Sequence, residues 1–328
     1  MKIKNTLNWA LKRAKNGGHL ITESFNAFME DRALTMSAAL AYYTLFAMAP
    51  LLIMTIALAS LFYGEDAINR KLFQEINGLV GNSAALQIQE IVRQISLQKD
   101  SVFAVILGIV TLLIGTTGVF IEIQDSMNYI WRVKAKPEKG WKKLLMNRIL
   151  SFSMVLSLGF LLIASLIMNG LVLILSDQLS RYFPDMTIVV ISLVNIGLTF
   201  IIISALFSVI FKYLPDVEIG WKDVRIGAFF TVILFIVGKY FIGIYLEKVS
   251  PGSAYGAAGS IIVVLVWVYY TSAILYFGAE FTQVYSERYG GKIKPAPYAV
   301  HIIQTEEEKT VAVLPHKEHD IEKNKTPL

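Results

Sequence analysis

The chain contains no cysteine. That excludes a disulfide framework and any thiolate zinc site. Histidine is nearly as scarce: His19, His301, His316 and His319 all lie in the polar ends of the sequence. His316 and His319 are one helical turn apart, but they stand beside Pro315 in a stretch without apolar periodicity, so no histidine-rich ligand set is visible. No phosphate-binding glycine loop, Ser-His-Asp or Cys-His grouping stands out either. The reading is therefore of a non-enzyme, with no cofactor and no metal expected. Charge is low as well, at 17% of the 328 residues, where a soluble domain carries about 25%. With 55% hydrophobic residues, the composition is that of a polytopic membrane protein. The net charge of +5 reads as basic loops flanking the membrane, not as a nucleic-acid-binding surface. Residues 1–32 lack an apolar core followed by a small-residue cleavage site, so no removable signal peptide is expected.

What the sequence does have is long uncharged runs. Val249–Ala279 extends for 31 residues without a charge and ends on Glu280. A hydrocarbon core about 30 Å thick needs roughly 20 apolar residues of helix. The run can therefore span a bilayer and keep an irregular lead-in at Pro251 and Gly252. Gly256 and Gly259 place two bare backbone positions on one face, where a neighbouring helix can approach closely. Trp267, Tyr269 and Tyr270 fall near mid-span instead of at an interface, which suggests a helix inside a bundle.

Taken in order, residues 1–32 read as a cytoplasmic leader of amphipathic helix broken at Gly17–Gly18 and lying on the membrane surface. Spans are expected at about 35–62, 101–121, 150–175, 187–211, 225–246 and 258–281, within a membrane domain covering 33–289. The first contains Pro50, a kink tolerated where neighbours satisfy the freed carbonyl. The second carries Gly108, Gly115 and Gly118 as close-contact positions. Residues 65–100 are polar with helical periodicity and read as an extracytoplasmic cap. From Gly290 to Leu328 the apolar periodicity vanishes, and the tail reads as disordered. The fold class is all-α: an integral bundle of six transmembrane helices with amphipathic helices outside the membrane.

Loop charge gives the orientation. Residues 122–148 hold Arg132, Lys134, Lys136, Lys139, Lys142, Lys143 and Arg148, while 176–186 holds only Arg181 and 247–257 only Lys248. Cytoplasmic loops are the positive ones, so both termini are expected inside and the cap outside.

Two polar groups interrupt this apolar pattern. Glu122 and Asp125 follow the second span, Arg225 opens the fifth and Glu280 closes the sixth, all at similar cytoplasmic depth. Salt bridges that fix the bundle are the plainer reading of these four, and a cytoplasmic gate or ion-coupling carboxylate the sharper one. Lys239 lies inside the fifth span, eight positions before Glu247, or about 12 Å below the outer end. Asn169 and Asn195 reach nearly the same depth in the third and fourth spans. Together they suggest a polar cavity open to the outside, unless Lys239 merely snorkels along its stem.

Three stretches resemble a known family. DRALTMSAALAYYTLFAMAPLL (Asp31–Leu52), QDSMNYIW (Gln124–Trp131) and YGAAGSIIVVLVWVYYTSAILYFGAEF (Tyr255–Phe281) are similar to the signature regions of the YihY/BrkB family of bacterial inner-membrane proteins. The similarity runs from about residue 20 to 290. The resemblance implies six helices in the inner membrane and a transport or permease role. It also brings virulence and "ribonuclease BN" labels attached to some members. Metal-dependent RNA cleavage needs clustered ligands at fixed spacing, which the residues do not offer. The expected function is a transporter or permease of a small solute, anionic if Lys239 attracts it, with membrane lipids as the surrounding partner. The alternative is a structural or lipid-interacting membrane protein that moves nothing.

Overall fold

The computed structural model describes residues 17–63, 86, 102–136, 184–249 and 259–303. The leader before residue 17, most of the expected cap, the third span with Asn169, and the lead-in with Gly256 lie outside the described residues.

The described chain is mostly helical. Helix α1 occupies 17–30, α2 Ala33–Tyr63, α3 Val102–Ile130, α4 Pro184–Tyr213, α5 Trp221–Val249 and α6 Gly259–Tyr289. Pro184 opens α4, where its missing N–H costs nothing. Pro50 stands within the continuous α2. At 1.5 Å per residue, helices of this length reach about 45 Å, beyond the thickness of a hydrocarbon core. Among the described residues three segments are long and apolar enough to cross a membrane: Ile196–Tyr213, Trp221–Leu246 and Ile261–Tyr289. Ala33–Met48 is a shorter apolar stretch.

The helices pack side by side in the order α3, α2, α6, α5, α4. Their inward faces form one apolar core containing Met127, Ile130, Phe211, Val224, Val232 and Ala279. The outward faces are apolar too. Phe229, Ile233, Val237, Tyr240, Phe241 on α5 and Leu193, Ile196, Ile201 on α4 are all exposed. A water-facing surface does not tolerate so continuous an apolar band, whereas lipid does.

Close approach is achieved at glycines. A Cβ on Gly115 would press on the Ala47 backbone, and one on Gly118 on the Tyr43 ring, so α3 lies directly against α2. The α5–α6 contact is a reciprocal seam. Thr282 of α6 sits on Gly227 of α5, and Thr231 of α5 sits on Gly278 of α6. Each threonine hydroxyl donates to the carbonyl four residues earlier in its own helix, Thr231 to Gly227 at 2.7 Å and Thr282 to Gly278 at 2.6 Å. The polar atoms are thereby satisfied without water. Further along, Gly238 receives the Tyr270 side chain.

The segment after α6 corrects one expectation. Residues 290–303 are not disordered but form a strap across one end of the bundle. Strand β1 (Val133–Ala135) follows α3, and β2 (Val217–Glu218) follows α4. Strands β3 (Lys294–Pro295) and β4 (Ala299–His301) lie in the strap. β4 pairs antiparallel with β1, Val133 opposite His301, and β3 pairs antiparallel with β2, Val217 opposite Pro295. Ribbons of two and three residues are too short to leave a period-2 pattern in a sequence. Residues 304–328 lie outside the described residues.

Candidate functional site

The strap end of the bundle collects the buried polar groups, and α1 leads into it. Its positions Leu20, Ser24 and Phe28, four apart, are buried against the bundle. Ile21, Phe25 and Met29, one position on, form an adjoining exposed apolar row, which suits a helix lying at an apolar surface. The helix ends at Asp31, which is 3% exposed, and Arg32, whose φ of 54° is left-handed.

Helix α3 ends in the same manner, on Trp131 and an Arg132 with φ 55°. The left-handed conformation costs a non-glycine residue about 1 kcal/mol or more and persists where its surroundings demand it. Here it turns the chain into β1 and sends the guanidinium to Asp31. Arg132 Nη2 lies 2.6 Å from Asp31 Oδ1, and the same guanidinium covers the Tyr129 ring at 5.5 Å. Trp131 donates from Nε1 to the Ala279 carbonyl at 3.1 Å, locking the end of α3 to α6 one residue before Glu280. Burial pushes the Asp31 carboxyl above the usual carboxylate range, against the downward pull of Arg132.

Glu280 is the unusual member. Its exposure is zero, and among the described residues neither carboxylate oxygen has a hydrogen-bond partner. The Asp31 carboxyl lies close enough to share a hydrogen bond with Glu280 when one of the two holds a proton, and the Arg132 guanidinium lies within electrostatic reach. One turn earlier on α6, Tyr276 is also fully buried with its hydroxyl unpartnered. It neighbours Ser126, which donates to Glu122 Oε1 at 3.3 Å.

Two satisfied acidic nodes hold this end together. Asp216, in the α4–α5 connection, accepts from Gln124 Nε2 at 3.0 Å and from Asn128 Nδ2 at 2.8 Å. Its backbone N–H donates to Asn128 Oδ1 at 2.8 Å, and its carbonyl accepts from Ala296 of the strap at 3.0 Å. Tyr298 of the strap also faces it, and burial, then the Asp216 carboxylate, hold the phenol proton on. Asp223, in the first turn of α5, accepts from Ser286 of α6 and from the Gly291 N–H, both at 3.0 Å. A Cβ at Gly290 would collide with this carboxylate, so the turn out of α6 requires glycine there.

The family comparison can now be placed on this geometry. The family model described as Virulence factor BrkB matches residues 24–302, from the first turns of α1 to the end of the strap. The chain belongs to this family. It is also similar to curated proteins called UPF0761 membrane protein. One, from Stenotrophomonas maltophilia (strain R551-3), is 26% identical over 288 residues, covering 85% of this chain and 64% of that protein. One from Verminephrobacter eiseniae (strain EF01-2) is 25% identical over 261 residues, covering 78% and 59%. One from Rhodospirillum centenum is 28% identical over 273 residues, covering 81% and 57%. The chain thus spans less than two thirds of the length of these relatives. No solved structure matches it. Family and relatives together make this a membrane protein of the BrkB/UPF0761 family. The match includes the strap, which the sequence resemblance, ending near residue 290, leaves out.

The residues singled out from the sequence are only partly brought together. Glu280 and Glu122 border the buried cluster, whereas Asp125 and Arg225 are exposed. Arg225 turns its Nε back to the Trp221 carbonyl at 3.2 Å. The arginine at the cluster is Arg132, and Asp31 is its partner. Lys239 is half-buried on α5 beside the Gly238–Tyr270 contact. The Asn195 side chain, like Asn169 and the Pro50 ring, lies outside the described residues. Gly259 opens α6 and is buried. Among the described residues no three acidic or histidine side chains converge as metal ligands.

Proposed function

We propose that this protein is a six-span transporter of the bacterial inner membrane, with both termini cytoplasmic, that carries a small anionic solute. The observation that supports the reading most is Glu280: a fully buried, unpartnered carboxyl inside a helix long enough to cross a membrane. Ionisable groups in such positions are expensive, and they mark ion and substrate pathways far more than they mark packing. The gate expected at the cytoplasmic end is then centred on Glu280, Asp31 and Arg132, with Glu122 at its side. The outer solute cavity is assigned to Lys239, Asn169 and Asn195, where the lysine supplies the attraction for an anion. No catalytic step is assigned to the chain.

The lipid-interacting alternative draws support from the dry Gly–Thr seam between α5 and α6. Flux separates the two. The purified chain in proteoliposomes is expected to move at least one of a panel of small anions faster than empty liposomes do. Lys239→Met keeps the length of the side chain and removes its charge. It is expected to abolish that flux while expression and folding stay normal. An absence of flux for every anion contradicts transport, and full flux in Lys239→Met removes the lysine from the pathway.

A further inference from the structure

An open groove of about 390 Å³ lies between α1 and the end of α6, lined by Glu23, Asn26, Glu30, Glu287 and Arg288 among others. Glu23 pairs with Arg288 across its mouth and with His19 on its own helix at 3.3 Å. Two of the lining residues, Ala27 and Val284, are each about one helical turn from the buried cluster: Ala27 precedes Asp31 and Val284 follows Glu280. One turn is about 6 Å along the axis. A predominantly acidic groove therefore lies a single turn from a carboxyl that has no donor among the described residues.

Two carboxyls and one guanidinium meet in the buried cluster, one turn beyond the groove lining. Asp31 holds Arg132 directly, through the 2.6 Å contact, and leaves Glu280 without a counter-ion of its own. A carboxylate without donors in an apolar surrounding keeps a proton in preference to a charge, more so beside a second carboxylate. The charged and titratable groups facing it are Asp31 from the α1–α2 turn, Arg132 from the end of α3, and Glu287 along α6. On its other sides Glu122 of α3 faces Tyr276, Asp223 of α5 is taken up by Ser286 and Gly291, and Arg225 points away. A metal cation is a poor fit, because a positive guanidinium already stands in the cluster and, among the described residues, no third carboxylate converges there.

We propose that Glu280 is a proton-binding site that exchanges its proton with the cytoplasmic side through this groove, with Asp31 as the relay carboxyl and Arg132 as the movable counter-charge. On release the Glu280 Oε–H bond breaks and the proton passes to the Asp31 carboxylate. Protonated Asp31 lets go of Arg132, which then faces the new Glu280 carboxylate. Asp31 delivers the proton to water in the groove, and uptake reverses each step. Net charge in the cluster thus changes by the one proton that enters or leaves. That this proton drives solute movement rests on the transport reading; its binding does not.

The test uses the full chain in nanodiscs and infrared spectroscopy of the protonated-carboxyl C=O stretch, titrated from acid to alkaline pH. A single buried-acid band is expected at neutral pH and lost at higher pH. Glu280→Gln should abolish it. Asp31→Asn removes the neighbouring carboxylate and its ion pair with Arg132. The band should persist in acid and titrate with proton affinity lowered about tenfold or more. A wild type without the band at neutral pH, a band that survives Glu280→Gln, or an unshifted band in Asp31→Asn overturns the proposal. Loss of the band on adding sodium or potassium chloride at constant pH makes the site a cation site and also overturns it. A band that behaves as expected in a protein that moves no solute leaves the proton site standing and removes transport. Solute flux without the band does the reverse.

Discussion

Gly278→Val is expected to destabilise the purified protein by about 1–3 kcal/mol, or to prevent its assembly, because extra bulk in a packed seam forces backbone apart. The α5–α6 contact has no slack at this point. Thr231 rests on Gly278 and Thr282 on Gly227, and both hydroxyls are already committed to carbonyls of their own helices. A valine at either glycine must displace a threonine whose rotamer is held by that bond, or push two long helices apart. In a membrane no hydrophobic force draws the helices back together, since lipid is as apolar as the partner helix. Gly227→Val is expected to match Gly278→Val. Gly243→Val, on the same α5 but with open space at its Cβ among the described residues, should stay within about 0.5 kcal/mol of the wild type. Thermal unfolding in detergent measures all three. Equal stability of Gly278→Val and Gly243→Val contradicts the seam.

The second large effect is expected at Asp216. Asp216→Ala deprives Gln124 and Asn128 of their charged acceptor in a site where Asp216 is 6% exposed. Bonds to charged groups contribute about 1.5–3 kcal/mol each, and stranded donors add their own cost, so a loss of about 2–4 kcal/mol is expected. The strap should loosen with it, because Tyr298 also loses its neighbour. Limited trypsin digestion is the direct readout: cleavage after Lys292 should accelerate in Asp216→Ala and much less in Asp216→Asn, which keeps an acceptor. A strap cleaved equally in all three proteins contradicts the role given to Asp216.

The sequence made parts of this site visible and concealed others for physical reasons. Glu280 was conspicuous, because it ends 31 residues without a charge. Arg132 was concealed among the seven basic residues whose common meaning is orientation; only the fold shows that this one is turned inward by a left-handed backbone. Asp31 stood at the edge of a polar leader, where an acidic residue ordinarily signals solvent. The Gln124 and Asn128 spacing of four did place two amides on one face, yet their acceptor comes from a loop 88 residues away from Asn128. Gly227 and Gly278 each precede a threonine by four residues, a small-residue spacing a sequence does show. Which helix lies opposite is a tertiary fact, and the long uncharged run points to Gly256 and Gly259 instead. Arg225 turns back to the Trp221 carbonyl and away from the cluster, a direction set by packing that residue count does not reveal.

The side of the membrane on which the Asp31–Arg132–Glu280 cluster opens decides the account, because a gate and proton groove at this end require the cytoplasmic face. The chain lacks cysteine, so single cysteines can be placed in a clean background. Lys136 adjoins the cluster, its backbone N–H donating to the Tyr298 carbonyl at 2.8 Å. Lys136→Cys is expected to react with a membrane-impermeant thiol reagent only after cells are lysed, and Ser83→Cys to react in intact cells. Labelling of Lys136→Cys in intact cells, with Ser83→Cys protected, contradicts the account.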